Sequence, residues 1–255
     1  MKIKTLLVVP ALLLTSCAPI KQIDATEAND IATNIAKKHE EGLKIELKFI
    51  DDIRGSGSTT KREMTLKYVS NDCYHLHRNS NVITQLSNSS LDNASLVEDY
   101  YVSPVKDDTG SYYGVLTKTK SENEKDYTVN ALKFKNMEAV TNYMMYTVET
   151  DLTSYYSRYI NPKKLIDSLI ASDEHYETAY YSSGKDNLIV KVKKVDEIKE
   201  LELTYSYDNY RFTGFERIDK ATTSYETVSR NQKVTIKYNN NLKITLPKEW
   251  KELVK

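Results

Sequence analysis

From residue 24 onward the chain switches repeatedly between two hydrophobic periods. Ala28, Ile31, Ala32 and Ile35 recur at intervals of three and four, which predicts a helix over 25–39. Asp24 stands where a cap belongs and Glu27 follows three residues on, as in a capping box, with Gly42 as a stop. The period then becomes two. Leu43, Ile45, Leu47 and Phe49 alternate with Lys44, Glu46 and Lys48, which predicts a half-buried strand. Met64, Leu66 and Tyr68 alternate again, and shorter strand-like runs follow at 74–78, 82–86, 112–118 and 127–134. The run 54–58, Arg-Gly-Ser-Gly-Ser, is a connection, and Asp107-Asp108-Thr109-Gly110 is turn chemistry.

A helical block interrupts these strands. Asn136 caps it, and Met137, Val140, Met144, Val148, Leu152, Tyr155 and Tyr159 fall on one face. Asn161-Pro162 ends it, and Leu165, Ile166, Leu169 and Ile170 predict a second, short helix. Alternation then resumes through Leu188, Val190 and Val192, and through Leu201, Leu203, Tyr205 and Tyr207. Asp208-Asn209 turns into 210–218, and Val234, Ile236 and Tyr238 make a further strand. Asn239-Asn240-Asn241 turns into a last one at Leu242, Ile244 and Leu246. Consecutive strands joined by short turns predict an antiparallel sheet. A sheet this long curls, and its concave face needs a cover, which the middle helices supply.

The first residues follow different rules. Lys2 and Lys4 precede an apolar run from Thr5 to Leu14, and small residues lead into Cys17, the layout of a secretory signal. The run has about ten residues, too few for the ~20 of a spanning helix. Leu14-Thr15-Ser16-Cys17 resembles the lipobox of bacterial lipoproteins. That resemblance implies cleavage after Ser16 and a diacylglycerol on the Cys17 sulfur. Residues 1–16 are then the signal peptide, 17–23 a lipidated tether, and 24–255 a single β-rich domain on the extracytoplasmic face of a cell membrane, or on an outer membrane. Two or three acyl chains on one cysteine anchor far more firmly than the marginal hold of one.

Cleavage leaves 239 residues with 34 basic and 36 acidic side chains. Such a balance gives no basic field for nucleic acid. Lipid on Cys17 leaves Cys73 without a partner in the chain, so the domain relies on its core rather than on disulfides. Tyrosine is abundant, 20 residues against 4 Phe and 1 Trp, which suits either a two-sided sheet or a lined groove.

The order helix, strands, two helices, strands resembles that of the LolA/LolB-like carriers and of the LppX and LprG lipoproteins. The alternating run Glu200–Ser206, its turn and Asn209–Ile218 are the most similar part. The resemblance implies an α+β fold: a curved, incompletely closed antiparallel sheet, a half-barrel, with an N-terminal helix and two mid-chain helices covering the concave face. It also implies an apolar ligand class, held non-covalently. The residues expected to line that face are Ile45, Leu47, Phe49, Leu66, Tyr68, Met144, Val148, Leu203, Tyr205 and Tyr207. The alternative is a surface-tethered module without a cavity that binds an envelope protein or a glycan through exposed tyrosine pairs such as Tyr112-Tyr113 and Tyr180-Tyr181.

Catalytic chemistry finds little support. The segment 55–61 lacks phosphate-loop spacing and leads into a strand. His39-Glu40-Glu41 lacks the second histidine of a zinc protease, His175 beside Asp173 and Glu174 reads as a solvated helix end, and Asp51-Asp52 reads as a turn. Cys73, His75 and His77 project from one strand face, but successive members stand ~6–7 Å apart and cannot close on one ion. The expectation is a non-enzyme with no metal and no cofactor beyond the covalent lipid.

Overall fold

The computed structural model describes residues 19–38, 44–55, 57–70, 72–85, 91–108, 110–147, 163–165, 167, 177–195, 199–222 and 226–253. Cys17, Val148, Gly42, the His39 and His175 clusters and most of the second mid-chain helix lie outside these residues.

The chain begins with β1 (Lys21–Ile23) and α1 (Ala25–Lys37). A meander follows: β2 (Ile45–Arg54), β3 (Ser58–Ser70), β4 (Cys73–Gln85), β5 (Leu91–Asp107), β6 (Gly110–Ser121) and β7 (Thr128–Phe134). Next comes α2 (Met137–Thr147), then a second meander: β8 (Glu177–Ser182), β9 (Leu188–Val195), β10 (Lys199–Asp208), β11 (Arg211–Thr222) and β12 (Thr227–Tyr238). A short 3-10 helix, Lys248–Leu253, ends the described chain.

All twelve strands form one antiparallel sheet in the order β1-β8-β9-β10-β11-β12-β2-β3-β4-β5-β6-β7. The two meanders join where β12 pairs with β2, with Ile236 opposite Leu47 and Val234 opposite Phe49. No pairing links β1 to β7, so the sheet curves without closing. Register shifts at Ser206/Tyr207 and Tyr68/Ser70 mark bulges, which bend a strand and increase its twist.

The curvature explains the core. Inward positions of β2 (Ile45, Leu47, Phe49), β3 (Met64, Leu66), β9 (Leu188, Val190, Val192) and β12 (Val234, Ile236) belong to one buried cluster. So do Ala28, Ile31, Ala32 and Ile35 of α1, and Val140 and Met144 of α2. Helix α1 lies against β8 and β9, whereas α2 lies against β6 and β7. Helices at opposite margins of a sheet meet one apolar cluster only if the sheet forms a trough.

Local chemistry sets the helix starts. Asp24 Oδ1 accepts the Glu27 N–H at 2.8 Å, and Asn136 Oδ1 accepts the Ala139 N–H at 2.9 Å, as cap residues do. The β10–β11 turn is a two-residue hairpin with Asn209 and Tyr210 at φ 48° and 61°, the left-handed pair such turns require. Tyr210 bears that conformation while its N–H donates to Asp186 O at 2.9 Å and Lys38 Nζ sits 4.0 Å above its ring.

Several expectations are corrected. Residues 74–78 and 82–85 are not in two strands; one strand, β4, runs through them. Strand β5, seventeen residues long, was not predicted, nor was β8. Asp51-Asp52 is not a turn but lies within β2. Lys21–Ile23, placed in the tether by sequence, pairs with Ser182–Tyr180 as an edge strand. Residues 242–246 form no strand, because both edges of β12 are already taken by β11 and β2. This tail instead runs to the outer face. There Trp250 packs with Val105 and Leu116, and Tyr101, Ala131 and Leu246 add to the cluster. Gly114 makes room for it, since a Cβ at that position would stand 2.8 Å from the indole and 2.7 Å from Val105.

Candidate functional site

The concave face gathers nearly all the residues expected to line it. Ile45, Leu47 and Phe49 from β2, Leu66 from β3, Tyr205 and Tyr207 from β10 and Met144 from α2 lie in the single buried cluster. Tyr68 and Leu203 are half-buried against it. Tilted ring pairs fix the β10–β11 region, Tyr205 with Phe215 at 5.2 Å and Tyr207 with Phe212 at 5.3 Å. Tyr143 of α2 meets Phe134 of β7 at 5.3 Å.

Connectivity gives the cover its place. The chain leaves the sheet at β7, one edge strand, and re-enters at β8, beside the other edge. Helix α2 stands at the departure. Near the arrival, Leu165 packs against the core and Lys163 Nζ reaches Asn29 Oδ1 of α1 at 3.2 Å.

The concave face also carries charge that sequence reasoning missed. Arg78 on β4 pairs with Glu98 on β5, both at most 12% exposed, and the Tyr100 hydroxyl donates to Glu98 at 2.7 Å. Burial, then the Glu98 carboxylate, pushes the Tyr100 phenol well above its ordinary pKa. Arg230 on β12 grips Asp51 on β2 in a bidentate pair at 2.9 Å and 2.9 Å. Arg217 Nε holds Asp219 at 2.8 Å. The signal was present. In β3, β4, β11 and β12 an arginine occupies an inward, period-two position in line with Met64, Leu76, Phe215 and Val234.

Cys73, His75 and His77 take the outer face of β4, as their spacing required. The ring of His75 stacks on Tyr101, with centroids 4.1 Å apart. His75 Nε2 and His77 Nδ1 both meet Asp99 Oδ1, at 2.8 and 3.0 Å. Burial raises the Asp99 pKa, but the two histidine contacts outweigh it and hold the carboxyl below its usual range. Among the described residues no three His, Cys, Asp or Glu side chains are arranged to hold a metal. Between β2 and β3 the Gly55 N–H donates to Ser58 O at 2.9 Å.

Two further features bear on ligands. A cleft of about 660 Å³ lies between α1 and β8, lined by Lys21, Asp30, Ile31, Asn34, Ser183 and Lys185 among others. The tyrosine pairs proposed as exposed contacts are not exposed. Tyr180 is buried in the core, and Tyr112, Tyr113 and Tyr181 are half-buried, Tyr113 against the core. No helix among the described residues is long and apolar enough to cross a membrane.

No family model and no curated protein matches the chain. Among solved structures it is similar to a β-barrel-like protein of unknown function (DUF1849) from Brucella abortus, at 10% identity over 77% of this chain and 98% of that one, with a TM-score of 0.29. It is also similar to LprF from Mycobacterium bovis, at 8% identity over 87% of this chain and 97% of that one, with a TM-score of 0.28. At these scores the architecture rests on the chain's own strand pairing.

Proposed function

We propose that this chain is a lipoprotein, anchored through diacylglycerol on Cys17 to the extracytoplasmic face of a membrane, that binds a lipid or similar apolar ligand non-covalently against its concave face. One observation carries the reading: a continuous apolar face spans the trough, while α1 and α2 sit on it at opposite margins. Such helices can part from the sheet at the middle of the trough without breaking any strand pairing. Binding would be reversible burial of acyl chains, each CH2 contributing about 0.8 kcal/mol, with no covalent step, no metal and no catalytic residue. Residues 18–20 separate Cys17 from β1 and can span at most about 11 Å, which keeps the trough within reach of the bilayer.

A second reading has its own support. The described inward side chains pack against one another, with Leu47, Leu188 and Val190 wholly buried. That favours a filled domain acting as a tethered module for an envelope protein or glycan. Transfer of a fluorescent phospholipid from vesicles to the full chain separates the two. The carrier reading expects emission to rise as the probe enters a dry site, and expects excess unlabelled lipid to reverse it. An unchanged signal would leave the filled module.

A further inference from the structure

The strands of the trough carry different side chains at their two ends. At one end Tyr238, Ile45, Tyr68 and Tyr74 follow one another across β12, β2, β3 and β4. The three tyrosines are half-buried against the core. Arg78 lies two inward positions further along β4 than Tyr74, and Asp51 three further along β2 than Ile45. The charged pairs therefore lie towards the other end, and tyrosines rim this one.

The register shows at which end the chain arrives. Ile23 of β1 is opposite Tyr180, Tyr180 opposite Val190, and Val190 opposite Tyr205. Lys21, opposite Ser182, lies one row closer to Leu188 and Tyr207. Because Lys21 precedes Ile23, the chain enters from the side of the β8–β9 and β10–β11 turns. Contacts carry this side across to the tyrosine rim. Lys21 lines one cleft with Ser183, Gly184 and Lys185 of the β8–β9 turn. Asp186 O of the same turn accepts the Tyr210 N–H at 2.9 Å. Lys38 Nζ sits 4.0 Å above the Tyr210 ring, and the guanidinium of the next residue, Arg211, lies 5.0 Å from the centre of the Tyr238 ring. One face thus runs from Lys21 to Tyr238.

Two observations say what meets this face. Four peptide steps separate Lys21 from Cys17 and span at most about 14 Å, so lipid on Cys17 brings the face to the headgroup layer. Just ahead of β1 stands Ile20, 63% exposed, the most exposed large hydrophobic side chain among the described residues. Beside a bilayer, that side chain leaves water on contact and is stabilised by doing so. The rest of the face has matching chemistry. Tyrosine rings and the long stems of lysine and arginine suit a layer that is apolar below and wet above. Glu27, Asp30, Asp186 and Asp208 lie among the cations, so the face has no single sign of charge and suits zwitterionic lipid.

We propose that this face, from Ile20 through the two turns to Tyr238, docks on the headgroup layer of the bilayer that holds Cys17 and stands the trough on its tyrosine-rimmed end. The inference rests on the lipoprotein reading and adds a second membrane contact and an orientation. The apolar half of the concave face then lies nearest the bilayer, and the charged pairs point away from it.

The test attaches a fluorophore at residue 240 (N240C) or at residue 57 (G57C), each with C73S. The full lipidated chain is placed in phosphatidylcholine vesicles that carry a nitroxide quencher on a share of their headgroups. Asn240 follows Tyr238 at the docking end, whereas Gly57 lies between β2 and β3 at the other, where an added Cβ meets nothing within 4 Å. The expected result is that emission at 240 is largely lost and emission at 57 is unchanged. Equal quenching at the two positions, or stronger quenching at 57, overturns the orientation. No quenching at either, from a chain that still sediments with the vesicles, overturns the docking and leaves the anchor intact. A chain that does not sediment overturns the lipoprotein reading as well. Hydrogen exchange reads the same contact without labels: amides of 183–187 and 208–211 should exchange more slowly in the vesicle-bound unaltered chain than in free C17S, with 57–60 unchanged. Equal exchange throughout overturns the proposal.

Discussion

At the residue scale, the strongest local constraints sit where backbones and large side chains approach closely. Gly114 lies beneath the Trp250 indole, and its place cannot take a methyl without displacing Val105 or Trp250. G114A should therefore destabilise the protein by about 1–3 kcal/mol, the usual cost of overpacking, read as a lower denaturant midpoint with an unchanged slope. Asp99 supplies a second test. Its pKa is lowered in the folded state, so its contribution is complete above the unfolded value, near 4, and fades as pH falls through the folded one. D99N should flatten that acid-side loss. A stability profile below about pH 5 that D99N leaves unchanged would show that the histidine contacts contribute nothing. These contacts also mark a limit of sequence reading. The shared face of Cys73, His75 and His77 was legible from spacing alone, whereas Asp99 was not, since it comes from a strand twenty-two residues on, placed opposite His77 only by the β4–β5 register.

At the element scale, what was legible follows from one-sided burial. Strands β2, β9 and β10 bury one face and show clean alternation, and α1 buries one stripe beside a capping Asp24. Strand β5 was invisible because it buries both faces, Tyr100 and Val102 inward and Tyr101 and Val105 under the C-terminal tail. Burial on two sides erases a period of two. The tail shows the reverse error. Leu242, Ile244 and Leu246 alternate as a strand would, yet the tail lies over the outer face because β12 has no free edge. Its anchor is Trp250, so W250A should cost about 3–5 kcal/mol and uncover Leu116 and Val105, read by binding of a hydrophobic dye. At the other end, D24A removes the cap that accepts the Glu27 N–H and should cost about 1 kcal/mol, read as a fall in the melting midpoint.

At the scale of the whole molecule, two meanders joined at β12–β2 make a trough whose margins are held by α1 and α2. The alternation of helix, strands, helical block and strands was legible in the sequence, though β5 and β8 were not; the inward arginines showed only as breaks in pattern until the neighbouring strands supplied their acids. Anchoring has a direct check of its own: C17S should move the chain from the membrane fraction to the soluble one. The central claim is that the concave face holds lipid, and native mass spectrometry of the full chain, gently extracted from membranes, tests it most directly. The account predicts a mass above that of the protein with its covalent diacylglycerol, reduced by collisional activation as an intact lipid leaves. A single mass equal to the modified protein alone, from preparations that have met lipid, would contradict it.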